Sequence, residues 1–237
     1  MSVRQTWMHF ASRRDVGMAF VLGRAEDWKL NKALNEESYL YGDMIRGHFI
    51  DSYFNLTLKT LSLLEWVDAY CPHAKYILKT DDDMFINVPR LLEFIDGHSD
   101  KRTIYGRVVE GQQPERNSVP DHQYEGLEFP KYATGGAYLL NRDIVQELYM
   151  QSLSSSYFPQ EDIFITGIMA ERLNISRVHA AKFRNVRIAL LPCSVRNAIS
   201  IHEIKPHEQY ELWRLLLTPA IKCKKVWQDA DADAENA

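Results

Sequence analysis

The chain has 237 residues, of which 46% are hydrophobic and 25% charged, with 28 Lys and Arg against 32 Asp and Glu. These proportions exclude a disordered, collagenous or small disulfide-stapled chain. The net charge of −4 leaves no basic balance on which a nucleic-acid binder would rely.

Elements follow in chain order. The start, Met1 to Trp7, lacks the apolar region and small-residue cleavage site of a signal peptide. No run of about 18 apolar residues exists to span a bilayer, so the chain taken literally is a cytosolic protein. Val16 to Gly23 is a short apolar, strand-like run, and Tyr53 to Tyr70 places Leu56, Leu63, Val67 and Tyr70 at helical spacing. Ala74 to Lys79 predicts a strand, and Asn87-Val88-Pro89 opens a helix, with Asn as cap and Pro in the first turn. Thr103 to Val109 and Tyr132 to Leu140 read as strands, Asn141 to Tyr149 and Asp162 to Leu173 as helices. Ile199 to Ile204 is a last strand and Glu208 to Leu217 a last helix. This alternation argues for an α/β layer architecture. Glu110 to Pro130 is a long polar loop of the kind that is functional or disordered. From residue 223 the chain becomes an acidic tail, expected to be disordered, after a single domain over 1–222. Cys71, Cys193 and Cys223 form no zinc motif, and their pairing is open between one disulfide and three thiols. Two sequons, at Asn55 and Asn174, matter only in a secretory compartment.

The chemistry concentrates in a few places. The strand before Thr80 runs into Asp81-Asp82-Asp83. Alternation along an extended chain turns Asp81 and Asp83 to one face and Asp82 to the other. Two anions on one face invite a cation between them. Hard oxygen ligands at the carboxyl end of a strand suit Mg²⁺ or Mn²⁺ shared with substrate phosphates. Glu161-Asp162 is a second pair at a helix start, where acids are favoured by the helix dipole in any case. The flanking Tyr157, Phe158 and Phe164 would desolvate Asp162 and raise its pKa toward that of a general base. Gly135-Gly136 inside an apolar run marks a bulge or a close backbone approach. His202 alternates with apolar residues, where a packed histidine is the ordinary outcome.

Taken together and in order, these blocks resemble glycosyltransferase family 31, the β-1,3-glycosyltransferases. The blocks are Val3 to Trp7, Asp51 to Thr60, Lys79 to Asn87, Tyr132 to Leu140, Glu161 to Gly167, and Ile201 to Pro206 followed by Trp213. The resemblance implies a GT-A-type α/β/α sandwich with a mixed central sheet. It implies a metal-dependent inverting transfer of a sugar from a UDP-sugar to the 3-hydroxyl of a glycan acceptor on a glycoprotein or glycolipid. Galactose is the first choice of sugar and N-acetylglucosamine the alternative. By the same resemblance Asp162 is the base, and Asp81, Asp83 and His202 are the ligands of Mn²⁺ or Mg²⁺. Arg4, Lys79, Asp81, Asp82, Tyr132, Gly135, Gly136 and Glu161 lie on the donor side. The family also implies the lumenal face of the Golgi membrane.

The chain departs from the family pattern in three ways. It begins inside the first motif, so the family's first strand is expected to be absent. Ala133 stands where many relatives have cysteine, and Trp7-Met8 replaces a frequent Trp-Gly. Two other readings are weighed: a non-catalytic UDP- or glycan-binding relative, and an aspartyl-nucleophile phosphatase. The Met84-Phe85 that follows Asp83 argues against the phosphatase.

Overall fold

The computed structural model describes residues 1–113, 124, 126–218 and 223. The acidic tail beyond Cys223, and most of the middle of the 110–130 loop, lie outside the described residues. In chain order the first elements are β1 (Phe20–Arg24), α1 (Trp28–Tyr41), β2 (Met44–Ile50), α2 (Leu56–Tyr70) and β3 (Tyr76–Thr80). Next come β4 (Phe85–Ile86), α3 (Val88–Asp96), β5 (Thr103–Val109), β6 (Tyr132–Asn141) and α4 (Val145–Leu153). A π-helical segment, Ile163–Met169, continues into the short α5 (Ala170–Arg172). The rest is β7 (Ser176–His179), β8 (Phe183–Arg184), α6 (Pro192–Asn197), β9 (Ser200–Ile201) and α7 (Pro206–Leu217).

Three sheets form among the described residues. The largest has the order β3-β6-β5-β7, with β6 antiparallel to both neighbours and β7 parallel to β5. β1 and β2 pair in parallel by themselves, and β4-β9-β8 make a small third sheet. The expected mixed α/β architecture is therefore present, but not as one continuous central sheet. β1 and β3 each have a single strand neighbour among the described residues.

Side-chain alternation along β6 feeds two cores. Tyr138 and Leu140 enter one with Leu64 and Val67 of α2, and with Val145 and Leu148 of α4. Ala137 and Leu139 enter the other with Leu91 of α3, Phe183, Ile201 and Leu212 of α7. Helices thus cover both faces of the four-stranded sheet.

Several local expectations change. The acids after Thr80 do not continue the strand: residues 81–84 turn, closed by Met84 N–H to the Asp81 carbonyl. The last predicted strand shrinks to Ser200–Ile201, because the chain turns again at His202. The helix predicted over 162–173 begins as π-helix. α1 and β2 fall where no element is predicted. The signals for α1 are nonetheless local: Asp27 caps the Lys29 N–H, and Gly42 closes the helix at φ 64°. Cys193 forms a disulfide with Cys223, and Cys71 is free.

Candidate functional site

The site is built on a defect in β6. Gly106 of β5 pairs with Tyr138, and Val108 with Ala133. Arg107 alone therefore faces the four residues Thr134 to Ala137. This bulge pushes Gly135 and Gly136 out of the ladder. Asn185 fills in behind it, donating from its side-chain amide to the Thr134 and Ala137 carbonyls at 3.0 and 2.8 Å. A Cβ on Gly136 would sit 3.2 Å from Met84 Sδ, which makes glycine the easy choice there.

The two acidic clusters meet across this bulge. Asp162 Oδ2 accepts the Gly135 N–H at 2.9 Å, while its Oδ1 accepts the Ile163 N–H at 2.9 Å. Lys79 Nζ donates to the Gly135 carbonyl at 2.8 Å and to Asp81 Oδ1 at 2.7 Å, and lies 3.4 Å from Glu161 Oε2. The Asp81 N–H is bound to the Gly136 carbonyl at 3.0 Å. One glycine thus holds Asp162 on its N–H and, through Lys79, Asp81 on its carbonyl.

The electrostatics differ sharply between the clusters. Burial penalises the Asp162 carboxylate and the Glu161 charge adds to it. The Ile163 and Gly135 N–H groups and Lys79 oppose them, and the net result is a pKa raised to about 6. Burial works against the Lys79 ammonium, but Glu161 and Asp81 outweigh it and hold its pKa above the ordinary lysine value. Tyr138, fully buried, donates its hydroxyl to Glu161 Oε1 at 2.5 Å. Burial first, and Glu161 second, push that phenol well above its usual range. By contrast the Asp83 side chain is 50% exposed.

The remaining predicted residues separate. His202 is brought to Asp83, with Nε2 3.3 Å from Oδ2. Asp82 is exposed at the tip of the turn. Tyr132 is buried with its hydroxyl on Gln112; burial, then the Asp162 charge, raise its pKa to about 12. Arg4 is engaged with other partners. Its guanidinium is forked onto Asp43 at 2.7 and 2.9 Å, bonded to Glu37 and stacked between Phe20 and Tyr41.

Three contributors were not singled out from the sequence: Tyr138, Thr166 and Asn185. The Thr166 hydroxyl accepts the Ala133 N–H at 2.9 Å and is within reach of the Asp162 carbonyl at 2.7 Å, which ties the π-helix to β6. A buried Thr four residues after an acid is the only local trace of that tie.

Whether a divalent cation fits can be judged from the donors. Asp83 and His202 supply one carboxylate oxygen, the donor type that suits Mn²⁺ and Mg²⁺, and one imidazole beside it at a solvent-open position. No group of three or more His, Cys, Asp or Glu side chains converges on one point among the described residues. Cations of this class commonly take one or two protein ligands and complete their shell with substrate phosphates and water. The two donors fit that pattern.

Comparison with known proteins gives a consistent result. A family model described as Galactosyltransferase matches residues 1–181. Human N-acetyllactosaminide beta-1,3-N-acetylglucosaminyltransferase 4 is 34% identical over 236 residues, covering 94% of this chain and 62% of that protein. Beta-1,3-galactosyltransferase 1 of Mus musculus is 32% identical over 222 residues, covering 90% of this chain and 68% of that protein. The chain thus spans between about three fifths and two thirds of the length of these relatives.

Proposed function

The chain belongs to the galactosyltransferase family, and from that premise we propose that it is an inverting β-1,3-glycosyltransferase acting from a UDP-sugar on a glycan. The observation that carries the proposal is that Gly135 bonds Asp162 through its N–H and, through Lys79 on its carbonyl, is joined to Asp81. A proton acceptor and a phosphate-side acid are thereby fixed relative to one another by a single backbone unit.

In this reading Asp162 removes the proton from the acceptor's 3-hydroxyl. The freed oxygen forms the new bond to the anomeric carbon from the face opposite the nucleotide, and the bond to the diphosphate breaks with its electron pair leaving on UDP. A carboxylate with its pKa raised to about 6 is ionised at neutral pH. It is also more basic than an exposed aspartate, as a general base needs to be. Two backbone N–H bonds orient the carboxylate and leave lone pairs free for the acceptor. A divalent cation, Mn²⁺ or Mg²⁺, would be held by Asp83 and His202, with Asp81 nearby, and when bound supplies charge neutralisation for the departing diphosphate. Asp82 and the Gly135–Gly136 bulge face the donor side, and Lys79 and Glu161 fix the bulge from beneath. Arg4 supports the donor side indirectly, by joining the first segment to Asp43.

Galactose is the proposed sugar and N-acetylglucosamine the alternative, since relatives named for each transfer are similarly close. The proposed place is the Golgi lumen, an oxidising setting in which the Cys193–Cys223 disulfide is stable. No helix among the described residues is long and apolar enough to cross a membrane.

The test is a donor screen with Mn²⁺. UDP-galactose, UDP-N-acetylglucosamine and UDP-N-acetylgalactosamine are each offered with galactose- and N-acetylglucosamine-terminated acceptors, and the product linkage is determined by NMR. A β-1,3 product from one donor is expected. UDP binding without transfer from any donor would favour the non-catalytic reading.

A further inference from the structure

The His202 turn is held in an unfavourable shape. Glu203, which follows it, has φ 57°, in the left-handed region that a residue with a side chain avoids. Such a conformation persists only where neighbouring contacts enforce it, and three do. The His202 N–H donates to the Val186 carbonyl at 3.4 Å, and the Ile204 N–H to the Asp83 carbonyl at 2.8 Å. The carbonyl of Glu203 itself accepts Arg187 Nη1 at 2.5 Å.

Arg187 is in turn fixed. Its guanidinium forks onto Glu208, with Nη2 to Oε1 at 2.5 Å and Nη1 to Oε2 at 3.0 Å. Glu208 Oε2 also takes the Lys205 N–H at 2.8 Å. The Glu208 side chain is largely buried in the first turn of α7. One rigid fork therefore joins the start of α7, the strained carbonyl of Glu203 and the segment that carries Val186.

We infer that Arg187 is a positioning residue that, pinned by Glu208, holds the strained Glu203 turn and so keeps His202 aimed at Asp83. The inference rests on the proposed role of His202 as a metal ligand and goes beyond it by naming what orients that ligand. Without the guanidinium, the only side-chain contact of the three is lost, the two backbone bonds are left to hold the positive φ, and the preceding imidazole loses its fixed aim. An orienting partner of a metal-bound histidine commonly contributes about 10–100-fold to metal affinity.

The experiment is calorimetric titration of Mn²⁺ into the full chain in the presence of UDP, with no acceptor, so that binding and not turnover is read. Four proteins are compared with the native chain: His202→Ala, Arg187→Gln, Arg187→Gln with Glu208→Gln, and Arg187→Gln with His202→Ala. The Arg187→Gln/Glu208→Gln pair leaves no buried carboxylate without its cation, which guards against simple misfolding of Arg187→Gln. Expected are losses of about tenfold in Mn²⁺ affinity for His202→Ala and for both Arg187 variants that retain His202. The Arg187→Gln/His202→Ala protein should be no weaker than His202→Ala alone, because both changes remove one interaction. Native Mn²⁺ affinity in the Arg187→Gln/Glu208→Gln protein, beside a loss in His202→Ala, would overturn the inference and leave the metal reading standing, and so would additive losses. Native affinity in His202→Ala would overturn both.

Discussion

The acidic turn after β3 meets water, whereas the acidic pair before the π-helix is folded beneath it. The side chains of Asp81 and Asp83 are 38% and 50% exposed, while Glu161 is 5% exposed as a residue. Both clusters are adjacent carboxylates beside the β6 bulge, so composition alone does not distinguish them. Solvent does. An exposed pair stays open to a cation and a diphosphate. A buried one must be compensated, and the compensation is visible: Lys79 and the Tyr138 hydroxyl on Glu161, two backbone N–H groups on Asp162. The buried cluster is the costly one to build, and its unusual proton affinity is what that construction yields.

The comparison breaks first at Asp162. Asp162→Asn should lower transfer by about 10²–10⁴-fold, the usual contribution of a general base, when initial rates are measured with saturating donor and acceptor. The sign of its stability effect is opposite. A carboxyl whose folded pKa stands above its ordinary value loses stability as pH rises from the unfolded value toward about 6. The Asn variant gives up one of the two backbone N–H bonds but does not ionise, so its melting temperature relative to the native chain should improve as pH rises from 4 to 7; no such relative gain would show that burial is not what raises this pKa.

Removing Lys79 attacks the buried cluster from the other side. Lys79→Met leaves Glu161 without its cation and should cost about 3–5 kcal/mol in denaturant unfolding. Lys79→Met with Glu161→Gln should recover much of that loss, because the orphaned charge is gone. If the double variant were as unstable as the single one, the lysine's role would lie in packing.

At the exposed cluster the effects are smaller and lie in donor binding. Asp83→Ala should raise the Mn²⁺ concentration needed for half-maximal rate by about tenfold or more, in proportion to one lost ligand, with little change in melting temperature. Smallest near neutrality is the pH effect: kcat/KM should fall only to half near pH 6, and then tenfold per unit below it, as Asp162 takes up a proton. A profile flat down to pH 5 would place the base elsewhere.

The fold and the site were unequally legible in the sequence. Thr103 to Val109 coincides with β5, and Asn87 caps α3 through the Arg90 N–H as expected, because these signals are local. α1 was missed although Asp27 and Gly42 bracket it, since its interior shows no clear apolar stripe and none of its residues is buried. β2 was missed for a similar reason, with Gly47 and His48 interrupting its alternation. The acids themselves were legible as types. The raised pKa of Asp162 was also expected from burial, but the partners that shape these environments were not, because they lie across long separations: Gly135 with Asp162, Lys79 with Glu161, Thr57 with Phe158. Strict alternation failed at Asp81–Asp83 because the Asp81 N–H is drawn to the Gly136 carbonyl and the chain turns there. Tyr138 gave no signal at all, since an aromatic in a central strand is ordinary core until its hydroxyl is seen to meet a carboxylate.

The division of labour between the clusters is tested most directly by titrating UDP, with and without Mn²⁺, into the native chain, Asp83→Ala and Asp162→Asn. The account predicts that Mn²⁺ strengthens UDP binding to the native chain and to Asp162→Asn alike, and that this gain is lost in Asp83→Ala. Loss of the gain in Asp162→Asn, or its survival in Asp83→Ala, would contradict it.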